Sequence, residues 1–227
     1  MKSGRKWRGL LVVFMGLGLV VGCSGPERFT TYSHPALSAA RTDKMAVMPF
    51  FKGRHPSQMG QALQCPLCKL WFDPANVVQG SEETLTRMAY EFMLERFGDR
   101  MASMDHVMAT YSGISRDEER DTPLSLARRV GQSMGVNAIL VGTVWRYRDR
   151  TGGPAATWNP ASIAFDLYLV DVRTGETLWM GSFEETQKSL SENIWDWGTF
   201  FDRGARWLTA NELARYGMRE LLKQLPL

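Results

Sequence analysis

The chain has 227 residues, of which 27 are Lys or Arg and 24 are Asp or Glu, giving a net charge of +3. Four of the basic residues lie within the first 22 positions, which contain no acidic side chain, so the remaining 205 residues carry a net charge of −1. A nearly neutral domain lacks the concentrated basic face that binds nucleic acid, and a nucleic-acid partner is therefore not expected. The 205 residues are enough for one domain with a sizeable core.

The N-terminus has the layout of a secretory signal. Lys2, Arg5, Lys6 and Arg8 precede an apolar run over 10–21, which ends at Gly22-Cys23. This run is shorter than the roughly 20 residues that a helix needs to cross a bilayer. The residues Leu19-Val-Val-Gly-Cys23 resemble the lipobox of bacterial lipoproteins. The resemblance implies that residues 1–22 are a signal peptide and that Cys23 carries acyl chains such as palmitate.

The same resemblance gives an expected location. Ser24 follows Cys23, and in lipoproteins the absence of Asp at this position implies sorting to the outer membrane. The expected product is lipid-anchored on the periplasmic face. Residues 23–43 show no sustained periodicity and are predicted to be a lipidated N-terminus and flexible tether.

A folded periplasmic domain is predicted over 44–227. The apolar run Met45–Phe50 predicts a buried strand. Residues 51–80 are rich in Gly, Pro and Gln, contain Cys65-Pro-Leu-Cys68, and are predicted to be an inserted loop. Helical spacing and end signals predict helices from Ser81 to Gly98, from Thr122-Pro123 to Gly135, and from the capping box Thr209–Glu212 to the C-terminus.

Three strands are predicted between the last two helices, at 136–148, 162–172 and 176–187. The turn Asp171–Gly175 makes the last two a hairpin. A weak extra strand is predicted over 100–104. The fold class is therefore α/β (α+β), a single mixed β-sheet packed with helices in the order β-α-(β)-α-β-β-β-α, ending in a hairpin and a helix.

Three segments carry a resemblance to a family of envelope proteins: Met45-Ala-Val-Met-Pro-Phe50, Gly135–Val144, and Phe165-Asp-Leu-Tyr-Leu-Val-Asp-Val-Arg-Thr-Gly-Glu-Thr-Leu-Trp179. They resemble the α/β domain of the curli secretion-channel lipoprotein, of lipoprotein activators of penicillin-binding proteins, and of the N-terminal domain of the Tol-system propeller protein. The resemblance covers roughly 44–225. It consists of core and turn residues, so it implies the fold and only weakly the function.

Cys65 and Cys68 are the only thiols that would remain after lipidation. Their spacing permits a disulfide, half of a zinc site or a redox pair, and export favours the disulfide. A zinc site would need further ligands, for which His55 and Asp73 are nearest in sequence. No other cofactor is expected. Methionines around His106 are typical of core filling rather than of a copper site, and His34 lies in the predicted tether.

No nucleophile-and-base motif or phosphate-binding loop occurs after residue 23, so the chain is not expected to be an enzyme. Glu184 and Glu185 adjoin on a strand and should point to opposite faces, as at a solvated strand end.

An aromatic segment precedes the last helix. Aromatic and Arg side chains are typical anchors of protein interfaces, but they also cover sheets in protein cores. Both alternatives apply to the candidate partner-binding residues Trp195, Trp197, Phe200, Phe201 and Trp207. The predicted function is a non-catalytic, membrane-anchored module that binds an envelope protein or copies of itself. The alternative is a metal-binding or redox-handling protein that uses Cys65 and Cys68.

Overall fold

The computed structural model describes residues 28–52, 63–65, 67–69, 71–117, 121–153, 157–187 and 206–227. The predicted signal peptide and Cys23 lie outside these ranges. The strands are β1 (Phe29–Ser33), β2 (Met45–Val47), β3 (Phe51–Lys52), β4 (Leu63–Gln64), β5 (Trp71–Phe72), β6 (Ala138–Arg148), β7 (Thr151–Gly152), β8 (Thr157–Asn159), β9 (Ser162–Asp171) and β10 (Thr177–Thr186). The helices are α1 (Ser81–Phe97), α2 (Met104–Gly113), α3 (Pro123–Met134) and α4 (Ala210–Lys223).

The main sheet has the order β1-β10-β9-β6-β2, and β3 also pairs with β6. The pairs among β1, β10, β9 and β6 are antiparallel, whereas β2 and β3 run parallel to β6. The β9–β10 hairpin forms at the predicted turn because Asp171 Oδ1 accepts the N–H groups of Arg173 and Thr174, and Gly175 takes φ 79°. The structure confirms the mixed α/β class.

Helices cover both faces of this sheet. On the first face, α1 and α4 pack over the side chains of Ile163, Phe165, Leu167 and Leu169. On the second face, α2 and α3 pack over Ile139, Val141 and Val170. The period-2 alternation of β9 therefore supplies apolar side chains to two separate cores. Among the described residues, no helix is both long and apolar enough to cross a membrane.

Part of the predicted tether belongs to the sheet. Residues 29–33 form β1, which pairs with β10. The Phe29 ring stacks on the buried Phe183 ring at a centroid distance of 5.0 Å. A single aromatic contact of this kind leaves no periodic signal in so short a strand, which explains why the sequence pattern predicted a tether.

Helix α2 also differs from expectation. The weak strand predicted over 100–104 is reduced to one bridge between Met101 and Met45, and α2 begins at Met104. The Ser103 side chain caps this helix by accepting the N–H of His106. Only Val107 of α2 is buried, so the apolar spacing on which helix prediction relies is missing. Within 51–80, the structure places β3, β4 and β5, of which β4 and β5 form a small antiparallel pair.

The predicted capping box of α4 is present. The Thr209 side chain accepts the N–H of Glu212, and the Glu212 carboxylate accepts the N–H of Thr209 at 2.9 Å. Glu212 also pairs with Arg206 at 2.7 Å. The guanidinium of Arg206 and the N–H of Thr209 lower the pKa of Glu212 to about 2.

We expect Glu212→Gln to destabilise the fold in a pH-dependent way. Because the pKa is depressed in the folded state, Glu212 stabilises the fold above its ordinary pKa of 4.5, and this contribution disappears as the pH falls towards 2. The expected loss at pH 7 is about 0.5 kcal/mol, since both side chains of the pair are more than one third exposed and solvent screens their attraction. Urea unfolding at pH 7 and pH 2.5 measures the difference. An equal loss at both pH values would contradict the assignment.

Candidate functional site

A row of polar side chains crosses the second face of the sheet. Thr143 of β6 and Ser182 of β10 both stand directly opposite Asp166 of β9. Thr30 of β1 stands opposite Ser182 and continues the row to the sheet edge. Thr143 and Asp166 are buried, with exposed fractions of 1% and 5%, whereas Thr30 is exposed. The row therefore runs from the protein interior to the surface.

Asp166 is the buried carboxyl of this row. Burial raises the pKa of Asp166 because it penalises the charged form, while hydrogen bonding by Ser182 and the proximity of Trp145 and Tyr168 oppose this rise. The Trp145 indole N–H is buried and makes no hydrogen bond of normal geometry within the described residues. Burial and the Asp166 charge also raise the pKa of Tyr168. Burying a carboxyl group lowers the stability of the fold. Carboxyl groups with pKa values shifted by burial are typical of functional sites.

A disulfide lies beside this carboxyl. Cys65 and Cys68 are joined by a disulfide, with their Cα atoms 5.5 Å apart. Cys65 is buried and its Sγ atom lies 3.7 Å from the Thr143 hydroxyl oxygen. The N–H of Cys68 donates to Cys65 Sγ at 3.0 Å. Of the alternatives that the sequence left open, the structure contains the disulfide.

The local backbone places the two sulfurs. The Lys69 N–H donates to the Cys65 carbonyl at 3.1 Å, which closes a turn between β4 and β5. Lys69 has φ 63°, in the left-handed region that residues with a side chain seldom adopt. The Gln64 side chain donates to the Lys69 carbonyl at 3.2 Å and supports this turn. The turn holds the disulfide against the second face.

Three potential metal ligands meet here. The Sγ atoms of Cys65 and Cys68 and a carboxylate oxygen of Asp166 all lie within 4.8 Å of one another. Two sulfur ligands and one carboxylate form a donor set that Zn²⁺ accepts. The ligands that proximity in sequence predicted for the cysteines are different residues. Asp73 is exposed and its carboxylate accepts the N–H of Ala75 at 2.9 Å, and His55 lies outside the described residues.

The other predicted residues are not brought to this site. His34 Nδ1 accepts the N–H of Ala36, and His106 is exposed on α2. Trp207 has an exposed fraction of 8% and belongs to the protein interior. The other four aromatic candidates lie outside the described residues: Trp195, Trp197, Phe200 and Phe201.

The two adjacent glutamates do point to opposite faces. Glu184 is half exposed and pairs with Arg146 at 2.8 Å, whereas the Glu185 side chain has an exposed fraction of only 7% and lies 4.0 Å from Arg28. The strand end is therefore solvated on one face only.

Asp166 was not singled out from the sequence. The signal was present, because Asp166 is the only acidic residue within an otherwise apolar run from Ile163 to Val170. In a strand buried on both faces, a carboxyl group has no solvated side on which to lie. A charged residue in such a run can therefore indicate a buried site.

A second feature is the open edge of the sheet at β1. The Glu184 N–H donates to the Arg28 carbonyl at 3.0 Å, and the His34 N–H donates to the Leu178 carbonyl at 2.8 Å. Since hydrogen-bonded pairs alternate along an antiparallel ladder, the backbone groups of Thr30 and Tyr32 also point towards β10. The N–H and C=O groups of Phe29, Thr31 and Ser33 then point away from the sheet. Within the described residues, no other strand pairs with β1.

The opposite edge of the sheet is covered. Met45 of β2 bridges to Met101, and the Ala102 N–H donates to the Met45 carbonyl at 2.8 Å. Proteins usually protect edge strands with charges, Pro or bulges. Residues 29–33, with the sequence Phe-Thr-Thr-Tyr-Ser, contain no charge, no Pro and no register shift against β10. The Tyr32 side chain on this edge is 55% exposed.

Comparisons with known proteins identify similar structures but no family. No protein-family model matches the chain, and no curated protein sequence matches it significantly. The PelC dodecamer from Paraburkholderia phytofirmans is similar over 86% of this chain and 93% of that chain, with 15% identity and a TM-score of 0.44. Lipoprotein GNA1162 from Neisseria meningitidis matches over 72% of this chain and 94% of its own, with 18% identity and a TM-score of 0.38.

The LpoB C-terminal domain from Salmonella enterica matches over 67% of this chain and 94% of that chain, with 13% identity and a TM-score of 0.36. All three TM-scores are below 0.5. The matches include lipoproteins of the group that the residues resemble.

Proposed function

We propose that the chain is a non-catalytic assembly module of the bacterial cell envelope, anchored to the outer membrane by lipid on Cys23, which pairs with a second copy of itself along β1. The observation that carries this proposal is the edge of β1, with which no further strand of the described residues pairs. Phe29, Thr31 and Ser33 present backbone donors and acceptors that another strand can pair with.

The strand is complementary to itself. In an antiparallel pair centred on Thr31, the two Thr31 residues exchange hydrogen bonds, and Phe29 of one copy exchanges them with Ser33 of the other. Because residues 29–33 carry no charge, this arrangement opposes no like charges. The result is an isologous contact about a two-fold axis, the commonest symmetry of homo-oligomers.

Side chains add to the pairing. The exposed Tyr32 ring of each copy stands beside Thr30 of the other on the second face. Cross-strand pairs of aromatic and β-branched residues contribute roughly 0.2–1 kcal/mol each. The symmetry supplies this contact twice.

The proposed anchor favours association between copies on one membrane. A chain segment from Cys23 to Phe29 spans at most about 20 Å when fully extended. Lipid on Cys23 would therefore hold β1 close to the bilayer surface. Confinement of many copies to one surface raises their effective concentration, so a modest edge contact suffices for pairing.

The oligomeric state of the full lipidated chain in detergent tests this proposal, with Thr31→Pro as the variant. Proline removes an N–H that points away from β10, so it blocks pairing between copies but leaves the β1–β10 ladder intact. We expect dimers for the wild type and for the control Thr31→Ala, which keeps the N–H. Thr31→Pro is expected to sediment as a monomer with an unfolding midpoint close to that of the wild type.

Two results would overturn the proposal. One is a dimer of unchanged affinity in Thr31→Pro, which would place the contact elsewhere. The other is a wild-type chain that stays monomeric at every concentration. In that case the β1 edge is not used for self-pairing, and an extended segment of a different envelope protein becomes the occupant to test.

A further inference from the structure

We infer that reduction of the Cys65–Cys68 disulfide creates a site for a divalent metal ion of the zinc class, with Cys65, Cys68 and Asp166 as its ligands. This inference is independent of the proposed pairing along β1, because the site lies at the β6 and β9 part of the second face. The third ligand, Asp166, comes from a part of the chain that is distant in sequence from the two cysteines.

The distances suit a tetrahedral ion. Zinc binds thiolate sulfur at about 2.3 Å and carboxylate oxygen at about 2.0–2.2 Å, so ligand atoms around it stand roughly 3.5–3.8 Å apart. The three ligand atoms here already lie within 4.8 Å of one another. Once the S–S bond is broken, the two sulfurs only have to move apart within the same turn, which joins residues whose Cα atoms are 5.5 Å apart.

Neighbouring polar groups contact the proposed metal ligands and can orient them. The Cys68 N–H donates to Cys65 Sγ, and the Thr143 hydroxyl lies 3.7 Å from the same sulfur, so both groups can stabilise a Cys65 thiolate. Ser182 stands opposite Asp166 on β10 and orients its carboxyl. Hydrogen bonds of this kind around metal ligands fix their direction.

A cation would also give the buried carboxyl a direct partner. Asp166 is 5% exposed, and the described residues place no Lys or Arg in an ion pair with it. Removing a carboxylate from water without a countercharge is costly. A divalent ion would be coordinated directly by the Asp166 oxygen, in place of the water that the carboxylate has lost, and with both thiolates the site would carry a net charge of −1.

A dithiol can reduce the Cys65–Cys68 disulfide by thiol–disulfide exchange. A thiolate of the dithiol attacks one sulfur of the disulfide, its second thiol then closes a ring, and the dithiol leaves as a disulfide after giving up two electrons. Cys65 and Cys68 each gain one electron and one proton. Binding of M²⁺ then displaces both thiol protons into solvent.

The donor set selects the class of metal. Two thiolates disfavour Mg²⁺ and Ca²⁺, which prefer oxygen ligands. Zn²⁺ and its spectroscopic substitute Co²⁺ accept sulfur and oxygen together. Three protein ligands leave the fourth tetrahedral position for water.

Titration of the reduced full-length chain with Co²⁺ under anaerobic conditions tests the inference. We expect one Co²⁺ per chain, with sulfur-to-cobalt charge-transfer absorption and visible bands of tetrahedral cobalt. The oxidised chain should show none of this absorption. Cys65→Ser should lose much of the charge-transfer absorption, because one of the two sulfur ligands is gone, and Asp166→Asn should weaken binding at least tenfold. Asp73→Asn is the matched control, because this exposed carboxylate lies near the cysteines in sequence and should not affect affinity.

If the Asp166→Asn variant does not fold, a second measurement on the wild-type chain tests the same ligands. X-ray absorption of the zinc-loaded wild-type chain counts ligands directly, and two sulfurs with two oxygen or nitrogen atoms are expected. Equal Co²⁺ affinity in a folded Asp166→Asn variant would overturn the assignment. So would a zinc shell without sulfur, or the absence of tetrahedral absorption in the reduced wild type.

Discussion

Replacing Phe183 with Ala is expected to destabilise the protein by about 3–5 kcal/mol. Phe183 of β10 is fully buried on the first face, where its ring contacts side chains of β1, β9 and α4. Its ring lies 5.0 Å from the Phe29 ring, 5.5 Å from the Phe165 ring and 6.5 Å from the Tyr216 ring of α4. Truncation would leave a cavity under both β1 and α4 and remove three aromatic contacts.

Urea unfolding measures this loss, with Phe183→Leu as the control that keeps most of the volume. We expect the control to cost less than about 1.5 kcal/mol. Hydrogen exchange should show that β1 opens more readily in Phe183→Ala, because Phe29 loses the ring on which it stacks. A loss below 1 kcal/mol for Phe183→Ala would mean that α4 does not depend on this contact.

Replacing Gly142 with Ala is expected to destabilise the protein by about 1–3 kcal/mol through overpacking. A Cβ atom on Gly142 of β6 would lie 2.3 Å from Phe50 Cζ, well inside van der Waals contact. The Phe50 ring cannot easily withdraw, because the Phe50 N–H donates to the buried Thr86 hydroxyl at 2.9 Å. Sheet and α1 would have to separate to make room.

Gly113→Ala is the matched control for this substitution. Gly113 is the last residue of α2, and a Cβ there meets nothing within 4 Å. We expect it to be neutral or to stabilise by up to about 1 kcal/mol, since Ala favours the helix. Chemical unfolding of both variants gives the comparison. A Gly142→Ala variant as stable as its control would contradict the close packing of Phe50.

The fold was predictable where sequence periodicity is strong. α1, α3 and α4 and the β9–β10 hairpin have apolar spacing, caps and turn residues that agree with each other, and the structure contains all of them. β1 and α2 were not predicted. Phe29 is the one partly buried side chain of β1, and α2 buries only Val107, so neither element shows the repeating apolar pattern from which strands and helices are predicted.

The two cysteines of the candidate site could be predicted from the sequence, but the proximity of Asp166 could not. The Cys65–Cys68 spacing identified the thiols, because ligands on one turn are close in sequence as well as in space. Asp166 is 98 residues beyond Cys68, and only the placement of the turn against β9 brings the two together. The open edge of β1 likewise depends on which strand ends the sheet, and this order is set by tertiary pairing.

Both proposed features use the second face of the sheet and connect through the row Thr143, Asp166, Ser182 and Thr30. Thr30 belongs to the strand proposed to pair with a second copy, whereas Thr143 adjoins Cys65. The two proposals can still be separated by experiment. Thr31→Pro leaves every proposed metal ligand unchanged, and Cys65→Ser leaves the outward backbone of β1 unchanged.

The pairing of two copies along β1 is tested most directly by a single cysteine at Thr31 in the full lipidated chain, expressed in cells that keep it on the membrane. In the proposed register the two Thr31 Cα atoms lie about 5.5 Å apart, a distance that a disulfide spans. We expect Thr31→Cys to form a reducible dimer under mild oxidation, and Ser133→Cys, exposed on α3, to stay monomeric. A folded Thr31→Cys chain whose new thiol is accessible but never crosslinks would contradict the account.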